Sequence, residues 1–233
     1  MPALESLHLS FGNQTLFDNL TLEIPKGQTT CFIGPSGCGK SSLLNLLAGL
    51  LTAQKGQLSV PQPVSYVFQE PRLLPWLSML ENAIYAMSPQ LSKSEKMEQG
   101  RQLLQTLEMG DALALRPSQV SGGMAQRCAL ARALLAPHQI LLLDEPLSSL
   151  HPELRERVAQ FLRQHLEGQT VVLVSHDYAT VRALGHQVFR LTAPPVRLSS
   201  VPFDKLELDI QQIEEDGSRS TPRSPRGDRN SSL

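Results

Sequence analysis

The amino-acid sequence predicts an α/β fold with a mostly parallel sheet and helices on both faces. Short apolar segments, such as Ile140 to Leu143 and Thr170 to Val174, alternate with longer segments of helical periodicity. A glycine-rich loop stands directly between another strand-length segment, Thr29 to Ile33, and the first helical pattern. Because a strand buried on both faces reads as a continuous apolar run, this alternation indicates parallel strands joined by helices.

Two segments near the N-terminus instead alternate apolar and polar side chains. Strict alternation is typical of strands with one face in a core and the other in solvent. Residues 12–14, Gly-Asn-Gln, supply a turn between them, so the sequence predicts a small antiparallel N-terminal lobe. The alternating apolar residues are Leu7, Leu9 and Phe11 in the first segment and Leu20, Leu22 and Ile24 in the second.

The helical patterns in the middle of the chain predict a helical subdomain at about residues 70–135. From Ser92 to Met109 a few apolar residues stand among many charges, which is typical of a surface helix. A second helix is predicted from Ser121 to Ala136. Outside this region, helices are predicted at Lys40 to Leu51 and Pro152 to Glu167.

The length of 233 residues, 41% of them hydrophobic, suits one domain. We place it at residues 1–200, followed by a short C-terminal extension at 201–216. Residues 217–233 are rich in Ser, Pro, Gly and Arg, so we expect a disordered tail. Contact with anionic lipid or RNA is a second interpretation of its arginines, which are Arg219, Arg223, Arg226 and Arg229.

Charge, hydropathy and cysteine content exclude several classes of protein. The 21 basic and 22 acidic residues give a formal net charge of -1, so no nucleic-acid partner is expected. The longest apolar runs are strand-length, far short of the roughly 20 residues of a membrane-spanning helix. The N-terminus lacks the pattern of an export signal, so we expect a cytoplasmic protein. The three cysteines show no zinc or redox spacing, and Cys31 and Cys128 are predicted core residues.

Residues 34–41, here named the phosphate loop, match the pattern G-x-x-x-x-G-K-[ST] between a strand and a helix. Its glycines let backbone N–H groups converge on phosphate oxygens, and the following helix adds its positive N-terminus. Lys40 is predicted to hold the β- and γ-phosphates of ATP, and Ser41 to bind Mg²⁺. Cys38 stands beside Lys40 at a helix N-terminus, a setting expected to favour the thiolate. The predicted nucleotide-binding residues are Gly34, Pro35, Ser36, Gly37, Cys38, Gly39, Lys40, Ser41 and Ser42.

Two carboxylates end the apolar strand that begins at Ile140. Ligands of parallel sheets bind at the carboxyl ends of the strands, so both side chains are expected at the site. Asp144 is predicted to support Mg²⁺, directly or through water. Glu145 is predicted to orient and deprotonate the water that attacks the γ-phosphate.

Residues 120–127, Val-Ser-Gly-Gly-Met-Ala-Gln-Arg, closely resemble the signature sequence of ABC ATPases and are here named the signature loop. Ser121, Gly122 and Gly123 open a helix and therefore make a second anion site. The resemblance covers about residues 3 to 192 and implies a P-loop NTPase fold of the ABC ATPase type. It also implies a head-to-tail dimer, in which two ATP molecules lie between the phosphate loop of one copy and the signature loop of the other.

Three further positions resemble functional residues of that family. Gln69, just after the strand Val64 to Phe68, is similar to the glutamine that senses Mg²⁺ and the attacking water. His176, after the strand that ends at Val174, is similar to the switch histidine that contacts the γ-phosphate. Phe11 is similar to the aromatic residue that stacks on adenine, where tyrosine is more frequent in the family, and its ring face serves equally for stacking.

Residues 68–76, Phe-Gln-Glu-Pro-Arg-Leu-Leu-Pro-Trp, here named the glutamine loop, resemble those of importers of nitrate, alkanesulfonates, taurine and thiamine precursors. The resemblance implies that Trp76, with Leu73 and Leu74, forms the groove for a coupling helix of the permease. A core position is the alternative for Leu73. The chain departs from the family in two places: the stretch between Leu51 and Val64 is short, and His151 replaces the aspartate that ends the dimer-crossing loop.

The function expected from this resemblance is ATP hydrolysis that energises a bacterial importer of a small anionic or pyrimidine-like solute. The expected partners are a second copy of the chain, integral membrane permease subunits and, indirectly, a periplasmic solute-binding protein. The expected location is the cytoplasmic face of the inner membrane. Two alternatives stay open, a soluble ABC ATPase with a non-transport partner and a nucleotide-dependent regulatory module. The regulatory module is disfavoured because Glu145 and His176 are both present.

Overall fold

A computed structural model describes residues 3–219. Within that range, nine strands and seven α-helices follow one another, with two short 3-10 turns at Gly110–Ala112 and Pro117–Gln119. The strands are β1 (Ala3–Phe11), β2 (Gln14–Glu23), β3 (Thr29–Ile33), β4 (Lys55–Ser59), β5 (Val64–Val67), β6 (Ile140–Asp144), β7 (Val171–Val174), β8 (Gln187–Leu191) and β9 (Leu198–Ser200). The helices are α1 (Lys40–Leu47), α2 (Met79–Ile84), α3 (Lys93–Thr106), α4 (Gly122–Leu135), α5 (Pro152–His165), α6 (Tyr178–Leu184) and α7 (Leu206–Arg219).

The central sheet has six strands in the order β5-β6-β7-β3-β8-β9. The first five are parallel and β9 is antiparallel to β8, which confirms the predicted mostly parallel sheet. Every residue of β3, β6 and β7 is buried, because cores lie on both faces of these strands. Cys31 and Leu141 pack in one core, whereas the next residues, Phe32 and Leu142, pack in the other. This alternation explains why the strands read as continuous apolar runs.

One face of the central sheet is covered by α1 and by a second, antiparallel sheet. This sheet has the strand order β2-β1-β4, and β1 and β2 are joined through Gly12 in the left-handed region, at φ 56°. The predicted antiparallel lobe is therefore present. The short stretch between Leu51 and Val64 contributes only β4 to it among the described residues.

The other face is covered by α2 to α7, which share one apolar cluster with the sheet. In the middle of the chain α2, α3 and α4 pack against one another. Sequence signals define where two of them begin: Ser78 and Ser92 each form a capping box, with Glu81 and Glu95 respectively. The buried side chains of Cys31 and Cys128 confirm their prediction as core residues.

The chain after β8 is more regular than the sequence indicates. The helix α7 buries Leu206, Ile210 and Ile213, whose spacing of four and three residues follows one helical face. Gly217, the predicted start of the disordered tail, lies inside α7. The rest of the predicted tail, positions 220–233, lies outside the described residues.

The described part of the chain lacks two features. No helix in residues 3–219 is both long and apolar enough to cross a membrane. The same residues contain no cluster of three or more His, Cys, Asp or Glu side chains arranged to hold a metal ion.

Candidate functional site

The carboxyl ends of β3, β6 and β7 open into a cavity of about 580 Å³. Parallel pairing places Asp144 beside Val174, so the residues that follow these strands meet at one edge of the sheet. Most of the predicted site residues line this cavity: Phe11, Ser36, Gly37, Gly39, Lys40, Ser41, Ser42, Gln69, Asp144, Glu145 and His176. The remaining predicted residues, Gly34, Pro35, Cys38, Ser121, Gly122 and Gly123, do not line it.

The phosphate loop leaves β3 and turns into α1 through residues in the left-handed region. Gly37 has φ 77° and Gly39, at the helix N-cap, has φ 101°, conformations that glycine adopts without strain. The ammonium group of Lys40 donates to the carbonyl oxygens of Gly34 at 2.8 Å and Pro35 at 2.9 Å. The loop thus holds the positive charge of Lys40 beside a helix N-terminus, and the combination attracts phosphate.

The prediction that the thiolate form of Cys38 is favoured is wrong. Its side chain is 1% exposed and packs in the core beneath the loop. Burial raises the pKa of the Cys38 thiol, and the nearby ammonium of Lys40 only partly opposes this. The desolvation of a buried thiolate outweighs the helix N-terminus and the lysine charge, so Cys38 is a core thiol below the site.

Asp144 ends β6 with its side chain almost fully buried. Burial raises the pKa of the Asp144 carboxyl, while hydrogen bonds from Ser41 and Tyr66 favour the ionised form. Hydroxyl, carboxylate and amide oxygens from Ser41, Asp144 and Gln69 face one cavity. Mg²⁺ prefers oxygen ligands and is held by one or two carboxylates together with substrate phosphates. The donor set therefore fits Mg²⁺.

Glu145 has an unusual backbone conformation for a residue with a side chain, at φ 49°. Its amide donates to the carbonyl of Val174 at 2.9 Å, and its own carbonyl accepts from the amide and the hydroxyl of Ser148. Residues held in this region are sparse and cluster at functional sites. The turn aims the carboxylate at His176, whose Nδ1 lies 2.7 Å from Oε1 of Glu145.

The loop that carries His176 is held by contacts of the next residue, Asp177. Asp177 caps α6 by accepting from the amide of Thr180 at 2.7 Å, and it pairs with Arg155 at 2.7 Å. Arg155 also donates to the carbonyl of Leu150 at 2.9 Å. Sequence reasoning missed this pair, because no local pattern relates an arginine on α5 to an aspartate 22 positions away.

The glutamine loop is anchored to α4 through its backbone. Gln126 donates to the carbonyl of Phe68 at 3.3 Å, and Arg132 donates to the carbonyls of Pro71 and Arg72, each at 3.0 Å. Gln69 is exposed between these anchors and faces the cavity. Hydrogen bonds from α4 therefore hold the backbone on both sides of Gln69.

Two of the residues predicted to form the permease groove, Trp76 and Leu73, differ in their exposure to solvent. The ring of Trp76 is 66% exposed. Leu73, in contrast, packs against the larger core, which is the alternative left open by the sequence. Trp76 therefore provides the exposed apolar surface of this loop.

The signature loop lies outside the cavity, with Ser121 and Gly122 exposed. Ser121 caps α4, its hydroxyl accepting from the amide of Met124 at 3.2 Å. A Cβ atom on Gly123 would lie 3.0 Å from the carbonyl oxygen of Ser149, so the signature loop packs tightly on the turn that precedes α5. Both anion-binding loops are present, but they do not share one cavity within a single chain.

His151 forms the N-cap of α5. Its Nδ1 accepts from the amide of Leu154 at 3.5 Å and lies 3.1 Å from the carboxylate of Glu153. The imidazole is 64% exposed. It caps the helix and also exposes its ring to solvent, two positions after Ser149, which packs on the signature loop.

Phe11, 51% exposed, stands at the other end of the cavity. Three residues that sequence reasoning missed accompany it there, Gln14, Leu16 and Pro194. The amide of Val196 donates to the carbonyl of Leu16 at 2.8 Å, which brings the segment after β8 against β2. No sequence signal links Pro194 to Phe11, because they are brought together only by the packing of the two sheets.

Comparison with known proteins agrees with the motifs. The family model described as ABC transporter matches residues 17–148. The aliphatic sulfonates import ATP-binding protein SsuB 2 of Burkholderia cenocepacia is 34% identical over 210 residues, 86% of this chain and 75% of its own length. SsuB of Yersinia pestis is 39% identical over 197 residues, covering 79% of this chain and 70% of its own.

A solved ABC cassette gives the same result in three dimensions. It is a dimer in a post-hydrolysis state with bound ADP and Pi, and it superposes with a TM-score of 0.76. It is 27% identical to this chain, with 87% of this chain and 99% of that one covered. Together with the phosphate loop, the Asp144 and Glu145 pair and the signature loop, these comparisons show that the chain belongs to the ABC transporter family as an ATPase that uses ATP with Mg²⁺.

Proposed function

We propose that this chain is the ATP-hydrolysing subunit of a bacterial importer for small sulfonates or closely related organic anions. The observation that carries the catalytic part is the placement of Lys40, Asp144, Glu145 and His176 around one cavity. The sulfonate class is supported by the function of the relatives, which are aliphatic sulfonates import ATP-binding proteins. The chain itself would act on the cytoplasmic face of the inner membrane as a peripheral subunit.

The residues suggest how hydrolysis proceeds. The phosphate loop and Lys40 bind the β- and γ-phosphates of ATP. Ser41, Asp144 and Gln69 would hold Mg²⁺, which when bound would supply positive charge against the negative charge that develops on the phosphates. Glu145 takes a proton from a water molecule while the oxygen of that water forms a bond to the γ-phosphorus. The bond from that phosphorus to the bridging oxygen breaks, and ADP leaves with the bonding electrons.

His176 assists because it contacts Glu145 directly. A ring nitrogen 2.7 Å from the carboxylate fixes the orientation of the base. The imidazole is exposed enough, at 58%, to reach the γ-phosphate as well. Position and orientation are the main requirements of phosphoryl transfer, since little covalent chemistry falls to the protein.

A second copy of the chain completes the site. Ser121 and Gly122 are exposed and outside the cavity of their own chain, so their amide groups are available to the γ-phosphate bound by another copy. The exposed ring of Trp76, on the loop that carries Gln69, offers a contact for the permease. Movement of the permease would then reach Gln69 through the glutamine loop.

The solute is tested with the transporter reconstituted in liposomes, with its permease and binding protein. Mg-ATP inside the vesicles should drive uptake of ethanesulfonate, with nitrate and a thiamine precursor as the competing solutes. Uptake of nitrate or the precursor without uptake of any sulfonate would contradict the proposed solute. Failure of the chain to co-purify with any permease from detergent-solubilised membranes would contradict the transport function itself.

A further inference from the structure

Tyr66 lies beside the predicted metal site without being part of any sequence motif. It stands on β5, opposite Leu142 of β6 and therefore two positions before Asp144 on the neighbouring strand. Because residues two apart on a strand share a face of the sheet, the Tyr66 side chain lies on the same face as Asp144, where its hydroxyl interacts with the carboxylate. Ser41 faces the same cavity as Asp144 and interacts with the same carboxylate. A tyrosine and a serine thus flank Asp144.

The ring of Tyr66 also begins a stacked column that leads into the glutamine loop. Its centroid lies 3.9 Å from that of Phe68, with 25° between the ring planes. The guanidinium carbon of Arg72 lies 3.8 Å from the centroid of the Phe68 ring. Gln69 stands between Phe68 and Arg72 in the sequence, so the column flanks it on both sides.

The far end of this column is fixed to α4. Arg132 donates to the carbonyl oxygens of Pro71 and Arg72, both at 3.0 Å. Stacked rings and a cation on a ring face stabilise one relative arrangement. A continuous set of contacts therefore runs from α4 through Arg72, Phe68 and Tyr66 to Asp144.

We propose that Tyr66 is a positioning residue that fixes the Asp144 carboxylate for Mg²⁺ and ties it to the loop that carries Gln69. The inference rests on the proposed metal role of Asp144. Groups that hydrogen-bond to a metal ligand set its orientation, and their loss typically weakens metal affinity or activity by about 10- to 100-fold. A buried carboxylate also requires hydrogen bonds to remain ionised in place.

The test compares Tyr66→Phe with wild type. The substitution removes one oxygen atom and keeps the ring that stacks on Phe68. Binding of a fluorescent ATP analogue is titrated first in EDTA and then at fixed nucleotide with increasing Mg²⁺. We expect unchanged affinity in EDTA and an Mg²⁺ half-saturation about tenfold higher.

Two controls complete the design. Tyr85→Phe makes the same chemical change at an exposed tyrosine on another element and should behave as wild type. Asp144→Asn removes the proposed ligand and should abolish the Mg²⁺ response. If Asp144→Asn abolishes it while Tyr66→Phe stays within twofold of wild type, the positioning role is wrong and the metal site stands. If Asp144→Asn keeps the response, the metal site fails and the inference fails with it.

The stacked column is tested separately with Phe68→Leu, which keeps the tyrosine hydroxyl. In the assembled transporter this variant should reduce the stimulation of ATPase activity by solute-loaded binding protein several-fold, while Mg²⁺ half-saturation in the isolated subunit stays near wild type. Circular dichroism melting shows whether either variant is folded. Full stimulation in a folded Phe68→Leu transporter would overturn the link to the glutamine loop.

Discussion

Nδ1 of His176 lies 2.7 Å from Oε1 of Glu145, in a contact between residues that follow two neighbouring parallel strands. The carboxylate is 10% exposed and the imidazole 58% exposed, so the base is enclosed while its partner reaches the cavity. Enclosure strengthens electrostatic interactions, and the contact fixes the direction of the carboxylate. The two side chains therefore act as one unit.

Replacement of that base should stop turnover and preserve binding. Glu145→Gln keeps the size of the side chain but cannot accept the proton, so we expect turnover to slow by roughly two to four orders of magnitude, the usual contribution of general base catalysis. The measurement is steady-state phosphate release together with Mg-ATP affinity. Glu156→Gln, an exposed glutamate on α5, is the control. Turnover within threefold of wild type would remove Glu145 from its proposed role.

The double variant tests whether the two residues act together. If Glu145→Gln and His176→Ala disrupt one unit, their effects on the turnover rate will be strongly non-additive, as is usual for residues in direct contact. The combined loss should be close to that of Glu145→Gln alone. Losses that multiply would show instead that His176 acts independently of the carboxylate.

We expect the ionised side chain of Asp144 to lower the stability of the fold while it supports function. Burial raises the pKa of its carboxyl, so the ionised side chain destabilises the fold above that pKa, and wild type gains stability as pH falls through it. Asp144→Asn should therefore melt at a higher temperature than wild type at pH 7, and the difference should shrink as the pH is lowered. Asp111→Asn, at an exposed position, provides the baseline. A lower melting temperature for Asp144→Asn at neutral pH would contradict this interpretation.

Asp177 should show the opposite dependence on pH. Burial raises the pKa of the Asp177 carboxyl. Hydrogen bonds from Thr180 and the pairing with Arg155 lower this pKa by a larger amount, so the net shift is downward. The stabilisation is therefore present above the unfolded value of about 3.9 and is lost as pH falls through the lower folded value. We expect Asp177→Asn to reduce the free energy of unfolding at pH 7 by about 1 to 3 kcal/mol.

The check is denaturant unfolding of Asp177→Asn and of the exposed Asp204→Asn between pH 7 and 3. The gap between Asp177→Asn and wild type should narrow below about pH 4. A gap that widens on acidification would mean that another group dominates the pair with Arg155.

His151→Asp separates the two roles of this position. Aspartate is a better N-cap than histidine, so the stability of the isolated subunit should stay equal or rise by up to about 1 kcal/mol. The turn that His151 ends packs on the signature loop through Ser149 and Gly123, so a negative charge there should change the Hill coefficient for ATP in the assembled transporter. Identical Hill coefficients would leave His151 as a helix cap.

The sequence predicts most of the site because the main motifs are local and sit at strand ends. Asp144 ends a buried strand, Lys40, Glu145 and His176 come after buried strands, and parallel pairing brings those strand ends together. The start of α4 is also readable, since Ser121 carries a side chain suited to capping. In these cases short-range chemistry and topology point to the same arrangement.

Other features depend on packing that a linear pattern does not contain. Cys38 has the neighbours of a reactive thiol, which would lower its pKa. Its side chain is buried in the core shared with β1 and β2, and this burial raises the pKa instead. Tyr66 lies in the strand Val64–Val67 and belongs to no motif, and its partner Asp144 lies on another strand.

We propose that each ATP site is completed by a second copy of the chain. The test is light scattering coupled to size-exclusion chromatography, applied to Glu145→Gln with Mg-ATP, with Mg-ADP and with ATP in EDTA. We predict twice the monomer mass with Mg-ATP and the monomer mass with Mg-ADP, and loss of the Mg-ATP dimer when Ser121→Arg is added. A protein that binds Mg-ATP yet keeps the monomer mass, or a dimer unaffected by Ser121→Arg, would contradict the composite site.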